Sequence, residues 1–503
     1  MGKTSQNQTS AQFLTSANML WLLAVLGTVL RLIQYARKRP LWEDEARLAL
    51  NIIDRSYAEL LTPLSYNQAA PPLFLLLEKA AQQLFGDGEL ALRLIPLLVS
   101  IVALWLFAYL AREFLTPPFT LIALALFATA PRLIYYSSEV KQYGVDVFAS
   151  VVVLWLGCLV LRAGINGRYI PLQKWLPYLL CGALLVWLSH PSVFGLAAVG
   201  LVTTAIFASQ KRWHAFGQLT LAHVVWAVSF LLLYSISARD GLTNRYLQEF
   251  WQNAFMPAPT NAAAIQWFVF AYRGLFREVL GFVAPYQFTA LGLLFAIGVW
   301  VAGNDGWKRG GLLLLPILFT LYASALRLYP FSDRLLLFLT PFIILTIAIG
   351  LESVVSVLQK YLNPQTARQP YLRSSLLFLI IGLLFLSAGR LVTRTEAYHL
   401  HSHFDVQPLL ETVHSNWQIG DQLYLEEEVG QLLTYYLRQF EFTETEIVTR
   451  DETWQAGERL WVYRTDASEE VLARWPERLT AVSPTQFETY RWPRVAVTLW
   501  EVE

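Results

Sequence analysis

The chain has 503 residues, of which 55% are hydrophobic and only 15% are charged. Soluble domains are about one quarter charged, so this composition excludes an ordinary soluble globule and indicates a protein whose solvent is lipid. A net charge of +1 gives no indication of nucleic-acid binding, and the two cysteines, Cys158 and Cys181, exclude a disulfide scaffold or a cysteine-based metal site.

The apolar residues form long uninterrupted blocks, and a block of about 18 residues or more can cross a hydrocarbon core about 30 Å thick. The segment before the first block is polar and lacks the pattern of a cleavable signal, so we interpret that block as a retained helix. The sequence predicts an α-helical polytopic membrane protein with about eleven transmembrane helices, at residues 17–36, 92–111, 118–135, 143–162, 175–190, 192–209, 217–236, 283–302, 311–328, 335–352 and 374–392.

The loops between these spans are of two kinds. Alternation from the first helix puts four short basic loops on one side: 162–174, 211–212, 308–309 and 360–373. The positive-inside rule makes that side the cytoplasm, although the basic run 37–39 falls on the other side and disagrees with it. We therefore expect a multi-pass protein of the cell inner (plasma) membrane, with its long segments outside: loops 37–91 and 237–282, and the C-terminal tail.

The character of the chain changes after the last predicted span. Short strand-like runs at 422–426, 446–450 and 459–463 alternate with helix-like runs such as 429–440. We predict two domains, a membrane module at residues 1–392 and a small extracytoplasmic α/β domain at residues 393–503.

The most informative loop follows the first span and reads Trp42-Glu43-Asp44-Glu45-Ala46. Its three consecutive carboxylates begin an amphipathic segment, which predicts a helix lying flat at the membrane interface. A solvated helix N-terminus, where acids favour the positive end of the dipole, also accounts for the pattern. Three further polar islands fall on the same predicted face of the membrane: residues 63–74 with their Pro-Pro pair, residues 136–143 and residues 327–334.

These islands resemble the motifs of the GT-C superfamily of membrane glycosyltransferases in three ways: their order along the chain, their spacing, and their position on one side of the membrane. The closest resemblance is to the branch of protein O-mannosyltransferases and bacterial aminoarabinose transferases (glycosyltransferase family 39-like). It implies a GT-C-like fold and a sugar donor carried on a polyprenyl phosphate, with transfer to a lipid, protein or glycan acceptor. Relatives that act on lipid A carry Glu-Lys before the Pro-Pro pair, whereas this chain has Gln68-Ala69-Ala70, so their acceptor is not inferred.

The chemistry that the resemblance implies is one inverting displacement. The acceptor hydroxyl must lose a proton as it attacks the anomeric carbon, and by resemblance Asp44 is the base. Glu45 and Glu139 are the other acidic candidates for the catalytic site. The leaving phosphate needs cations rather than a general acid. The candidates for binding the substrate or its phosphate are Lys141, Tyr143, Arg327, Arg334, Arg245, Gln68, Arg273 and the basic run Arg37-Lys38-Arg39.

Most of these residues also have structural interpretations. Glu43 and Glu45 can pair with arginines nearby, Glu139 can bond Lys141 or a loop amide, and Arg334 can snorkel to the interface. His190 can be a helix-terminal contact. The triplet His399, His401 and His403 has metal-like spacing but no acidic or cysteine partner at a suitable distance, which argues against a metal site there. The resemblance implies a possible divalent cation elsewhere, because some relatives bind one between acidic residues.

Another class of function is open as well. A carrier or flippase, or a non-catalytic binder of lipid-linked glycans, would also be a polytopic membrane protein. Carriers place ionisable residues near the membrane midplane and contain internal repeats. Here the predicted spans are largely free of charge and the acids cluster in the external loops, which favours an enzyme.

Overall fold

The computed structural model describes residues 2–163, 169–258, 262–277, 280, 285–304, 307–361, 406–425, 430–440 and 442, together with the C-terminal strand segments given below. Helices dominate its N-terminal part: α1 Gly2–Ala36, α2 Glu43–Asp54, α3 Pro72–Phe85, α4 Glu89–Leu92, α5 Leu94–Leu110, α6 Pro117–Thr129, α7 Pro131–Tyr135, α8 Tyr143–Ala163, α9 Leu172–Leu188, α10 Ser192–Ser209, α11 Trp213–Leu233, α12 Arg239–Thr243, α13 Arg245–Phe250, α14 Ala262–Arg277, α15 Pro285–Asn304, α16 Trp307–Ala325 and α17 Thr340–Tyr361.

Each of the first ten predicted spans falls on one of these helices or on a bent pair of them. In the described part of the chain, 6 helices are long and apolar enough to cross a membrane, or 7 if a bent pair counts as one span. Helix α9 and the apolar part of α15 are shorter. The eleventh predicted span, 374–392, lies outside the described residues, so the count of eleven stays a prediction. The protein is a multi-pass α-helical membrane protein.

The third predicted span is broken rather than continuous. Its two parts, Pro117–Thr129 and Pro131–Ser138, meet at an angle of 51°. Pro131 has no backbone N–H and restricts the residue before it, so α6 ends at the point where α7 begins. The break turns the chain back toward the residues that follow α1, and it brings the island 136–143 beside α2.

Helices α15 and α17 cross at very close range. A methyl group on Gly298 would collide with the backbone carbonyl of Thr346, and one on Gly350 would collide with the carbonyl of Leu294. Only glycine permits this approach, which is a common way for membrane helices to pack in the absence of a hydrophobic driving force between them.

The long loop after α1 packs against the rest of the protein. The side chains of Leu48, Leu50 and Ile52 in α2 are all fully buried. Helix α2 packs against α3 and against a helix of the C-terminal region. Its apolar side chains therefore contact protein on more than one side, and the expectation that α2 lies flat at the membrane interface stays a prediction.

The C-terminal region forms a mixed α/β unit. Its helices are α18 Gln407–Ser415 and α19 Gln431–Gln439, and its strands are β1 Gln422–Leu425, β2 Ile447–Val448, β3 Thr453–Trp454, β4 Arg459–Arg464, β5 Thr480–Ala481, β6 Pro484–Trp492 and β7 Val495–Val502. The main sheet has the order β2-β1-β4-β7-β6, with β1 parallel to both β2 and β4 and the other pairs antiparallel. Strands β3 and β5 form a separate parallel pair. These elements confirm the α/β prediction; the boundary at 392/393 lies outside the described residues and stays a prediction.

Two ends of the helix bundle differ in chemistry. Helix α8 begins at Tyr143, and its last turn carries Arg162. The turn between α10 and α11, with Lys211 and Arg212, lies at the same end of the bundle as Arg162. The beginning of α8, the beginning of α10 and the end of α11 meet the loop after α1 at the opposite end. The polar islands therefore converge at the end of the bundle away from these basic residues.

Candidate active site

A buried ion-pair network fixes the start of α2. The Glu45 carboxylate is fully buried; it lies 3.1 Å from Arg39 Nη1 and 2.8 Å from Arg93 Nη2, and it accepts the backbone N–H of Val140 at 2.9 Å. Burial alone would raise the pKa of Glu45, but the two guanidinium groups outweigh that effect and lower it. Glu45 therefore ties together α1, α5 and the island 136–143, and it does not line the cavity described below.

The neighbouring carboxylate, Asp44, points into a different environment. Lys141 Nζ lies 2.9 Å from Asp44 Oδ1, and Arg334 Nη2 lies 2.9 Å from Oδ2. Gln68 Nε2 also donates a hydrogen bond to Oδ1 at 3.2 Å, and Gln68 Oε1 accepts one from Lys141. All four polar islands of the sequence thus contribute one side chain each to a single cluster.

This cluster shifts the protonation of its members. Burial by itself would raise the pKa of Asp44, but the charges of Lys141 and Arg334 and two hydrogen bonds hold that pKa at about 2. Burial lowers the pKa of Lys141, and the Asp44 carboxylate opposes the effect. Asp44 is therefore ionised throughout the physiological range, and its charge is shared between two cations.

A second layer of contacts holds Arg334 in place. Its Nε donates a hydrogen bond to Tyr143 Oη at 2.9 Å, and its guanidinium carbon lies 5.0 Å from the centre of the Trp42 ring. Trp42 Nε1 in turn donates to Glu139 Oε1 at 2.8 Å. Glu139 is fully buried and does not line the cavity. It reaches the cluster through Trp42 rather than directly.

Glu139 should make the stability of the protein depend on pH. Burial first, and the nearby Glu45 carboxylate second, raise the pKa of Glu139 to about 7 from an unfolded value of 4.5. Between these two values the folded state binds more protons than the unfolded state, so stability falls as pH rises from about 4.5 to about 7 and then levels off. We expect a flatter profile for Glu139→Gln, measured as thermal stability in detergent from pH 5 to pH 8. Parallel profiles for the two proteins would contradict this.

A cavity of about 820 Å³ opens beside Asp44. One wall is polar and carries Asp44, Lys141 and Arg334. The opposite wall is formed by the end of α11 and the segments that follow it, and its side chains are mostly apolar or aromatic: Phe230, Leu231, Leu233, Tyr234, Leu242, Tyr246, Phe250 and Trp251. Several of these, including Leu231 at 61% exposure, are open to the surroundings of the helix bundle. The cavity therefore joins a cationic polar wall to a surface suited to a lipid chain.

Known structures share this architecture. ArnT from Cupriavidus metallidurans in the apo state matches with a TM-score of 0.59 and 13% identity over 96% of this chain and 98% of that one. The same protein bound to undecaprenyl phosphate gives 0.54 and 14% over 95% and 97%. The archaeal oligosaccharyltransferase AglB from Archaeoglobus fulgidus, in complex with an inhibitory peptide and a dolichol-phosphate, gives 0.50 and 14% over 88% and 62%.

Both proteins are GT-C membrane glycosyltransferases. The chain has a GT-C-like fold. No protein-family model matches the sequence, and no curated protein matches it either. At 13–14% identity the likeness is one of fold. Substrates and catalytic roles must therefore be argued from the residues of this GT-C-like chain itself.

Other predicted residues lie away from the Asp44 cluster. The Arg245 side chain is 91% exposed and pairs with Glu249 one helical turn later. Arg327, whose backbone has a φ of +57°, and Arg273 are both exposed and line no part of the cavity. In the basic run after α1, Arg39 forms an ion pair with Glu45. The triplet His399, His401 and His403 lies outside the described residues.

A divalent cation does not fit the described residues. Among them, no three His, Cys, Asp or Glu side chains group in a way that could hold a metal ion. The Asp44 carboxylate is in contact with two cationic side chains, and Glu139 faces Trp42. We derive no step through a metal.

The C-terminal region contacts α2, the helix that carries Asp44, directly. The Glu43 carboxylate, next to Asp44, accepts the backbone N–H groups of Gln431 and Leu432 at 3.1 Å each, at the first turn of α19. Arg47 Nε donates to both Glu43 Oε1 and Gln431 Oε1. A carboxylate at a helix N-terminus meets unpaired N–H groups and the positive end of the helix dipole. The sequence contained no signal for this contact, because it joins residues almost 390 positions apart.

We expect Gly430→Ala to impair the site from a distance. An added methyl group at residue 430 would lie 2.8 Å from Glu43 Oε2, so the end of the Glu43 side chain must turn away and its bonds to the first turn of α19 weaken. Asp44, the next residue, would then be held less firmly. Since a small displacement of a catalytic group is costly, we expect roughly a 10-fold loss of transfer activity if Asp44 is the base. Gly217→Ala is the matched control, because a methyl group there meets nothing within 4 Å. Equal activities of the two variants would contradict the coupling.

Sequence reasoning missed two residues near the site, Arg93 and Asp146. Arg93 is 2% exposed and makes two bonds to Glu45, and its only sequence signal was a lone charge at the start of a predicted span. Asp146 and His190 line the cavity. Asp146 lies within a predicted span, where an ionisable residue is itself a sign of function.

Proposed function

We propose that the protein is a membrane glycosyltransferase that moves a sugar from a polyprenyl-phosphate donor to an acceptor hydroxyl, by one inverting displacement on the extracytoplasmic side. The observation that carries this proposal is the position of Asp44 between Lys141 and Arg334 on the wall of a cavity whose other wall is apolar. The fold supports it, as does the binding of undecaprenyl phosphate by ArnT and of dolichol-phosphate by AglB.

The donor phosphate would bind Lys141 and Arg334. Both side chains are largely buried, at 5% and 12% exposure, so a phosphodiester there would be attracted with little screening by water. Arg334 offers a planar fork that suits phosphate oxygens, and Lys141 offers a point charge. The isoprenoid chain would lie along the apolar wall at the end of α11, where exposed Leu231 and Tyr234 face outward.

Asp44 would act as the base, and donor binding would prepare it for that role. A carboxylate with a pKa of about 2 is a weak base while both cations neutralise it. When a phosphate anion shares those cations, their effect on Asp44 weakens and its pKa rises toward the ordinary value. The base would thus become effective only when the donor is in place.

The reaction balances without a general acid. The acceptor oxygen forms a bond to the anomeric carbon while the bond from that carbon to the phosphate oxygen breaks, and the acceptor proton passes to Asp44 and then to water. The leaving polyprenyl phosphate gains one negative charge, which Lys141 and Arg334 stabilise. Attack from the face opposite the leaving group inverts the anomeric carbon.

Glu45 and Glu139 take positioning roles in this proposal. Glu45 fixes the first turn of α2 through Arg39 and Arg93. Glu139 orients Trp42, whose ring lies over Arg334. Gln68 bridges Asp44 and Lys141, and Tyr143 orients Arg334. Arg245 and Arg327 have no part in the reaction as we propose it.

The extracytoplasmic orientation rests on charge distribution. Arg162, Lys211 and Arg212 lie at the end of the bundle opposite the cavity, and short basic loops face the cytoplasm. In a bacterial-type inner membrane, the cavity and the C-terminal region would then face outward.

The test is transfer from a panel of radiolabelled polyprenyl-phosphate sugars by the purified protein, with native membrane extract as the acceptor. We expect label to move from at least one donor, and the labelled product would identify the acceptor as lipid, protein or glycan. A protein that binds these donors but moves no label across a broad panel would instead be a carrier or a non-catalytic binder of lipid-linked glycans.

A further inference from the structure

The cavity contains a second polar region that the proposed chemistry at Asp44 does not use. It is formed by Asp146 on α8 and His190 in the turn between α9 and α10, both of which line the cavity. Asp146 is only 5% exposed, and Ser189 lies beside its carboxyl group. Among the described residues, neither Asp146 Oδ1 nor His190 Nε2 has a hydrogen-bond partner. Buried polar groups without partners cost stability and call for an explanation.

The position of Asp146 relates it to the proposed reaction centre. Tyr143 and Asp146 are three residues apart and lie on the same face of α8, one helical turn or about 5 Å apart. Tyr143 is hydrogen-bonded to Arg334, which pairs with Asp44. Asp146 therefore lies one helical turn from a residue that contacts the cluster that would hold the donor phosphate.

The walls around this region are aromatic. Phe194 and Tyr329 both line the cavity, and their ring centres are 5.3 Å apart in an edge-to-face arrangement. Sites for small polar ligands combine such apolar walls with a few polar groups that fix orientation. A sugar ring matches this mixture, because it has apolar C–H faces and a polar edge.

We propose that Asp146 and His190 form the subsite that binds the hydroxyl groups of the transferred sugar and selects among donors. A sugar hydroxyl can both donate and accept a hydrogen bond, so one hydroxyl or a neighbouring pair can satisfy the Asp146 carboxyl group and the His190 imidazole. This inference rests on the proposed function, since it takes the phosphate of the same donor to lie at Lys141 and Arg334. A site built around such bonds discriminates strongly against ligands that lack them.

The experiment compares the binding of undecaprenyl phosphate with that of undecaprenyl phosphate carrying mannose, glucose or galactose. We expect the wild type to bind at least one glycosylated lipid at least 10-fold more tightly than the bare lipid. Asp146→Ala and His190→Ala should reduce that preference at least 5-fold and leave the affinity for the bare lipid unchanged. Glu78→Gln is the matched control, because Glu78 is also a fully buried acid but lies off the cavity.

Deoxy-sugar donors then test the contact itself. If Asp146 binds one hydroxyl, a donor that lacks this hydroxyl has already lost the interaction. Removing the carboxyl group should then have no further effect, so this donor should bind equally well to the wild type and to Asp146→Ala. Variants that weaken the bare and glycosylated lipids equally would show a structural role and overturn the subsite. A wild type that shows no sugar preference would also overturn the subsite, but it would not contradict a polyprenyl-phosphate donor. A wild type that binds neither lipid would overturn the proposed function and the subsite with it.

Discussion

Asp44→Asn is expected to lower the rate of sugar transfer at least about 100-fold, which is the contribution of a well-placed general base. The same change should leave the affinity for polyprenyl phosphate unchanged or higher. The reason lies in the cluster, where the Asp44 carboxylate occupies the two cations, 2.9 Å from each, that the phosphate would bind. A neutral amide competes less for Lys141 and Arg334, so binding and catalysis should separate in this variant.

The measurement is transfer at saturating donor, with the dissociation constant of undecaprenyl phosphate determined in parallel. Glu249→Gln is the control, since this exposed acid pairs with exposed Arg245 and should keep wild-type values. A folded and fully active Asp44→Asn protein would contradict the assignment of Asp44 as the base. A protein that loses donor binding along with activity would show that Asp44 organises the phosphate site instead.

Glu45→Gln should destabilise the protein by about 3–5 kcal/mol, the usual cost of removing one partner from a buried ion pair. The change keeps the shape of the side chain and removes only its charge. It leaves Arg39 and Arg93, at 7% and 2% exposure, as two buried cations without their shared carboxylate. Helix α2 would lose its anchor to α1 and α5, so activity should fall as well.

The free energy of unfolding in mixed detergent micelles, followed by helix content, is the quantity to compare. Glu249→Gln again serves as the control, because its pair is exposed and should contribute nothing measurable. An unfolding free energy for Glu45→Gln equal to that of the wild type would mean that the two arginines are compensated by other groups, and that the network does not fix α2.

Hydrophobic length and strand-like patterns were enough to predict the first ten membrane spans and the α/β character of the C-terminal region. Apolar blocks predicted the membrane helices because crossing lipid requires a minimum length, and that requirement is visible in one stretch of sequence. In the same way, the strand-like run 459–463 became β4. The bend at Pro131 was missed, although the proline marked it, because the apolar composition runs through the break without change.

The active-site cluster could be predicted only in part. The islands indicated that Asp44, Lys141 and Arg334 share one face of the membrane, and the structure brings all three together. Which carboxylate faces the cavity depended on packing: Asp44 and Glu45 are adjacent, yet Glu45 turns toward Arg93. Long-range pairs of this kind leave no pattern in a single sequence, and neither did the contact of Glu43 with α19.

The contact between α2 and the C-terminal region also joins parts of the chain that are synthesised at very different times. The backbone N–H of Leu41 donates to Tyr436 Oη across 395 positions of sequence, and Arg438 forms an ion pair with Asp54. During synthesis the helices around α2 enter the membrane long before residues 430–440 leave the ribosome. The loop that carries Asp44 therefore gains these contacts only after residues 430–440 have been synthesised, although most of the membrane helices precede them in the chain.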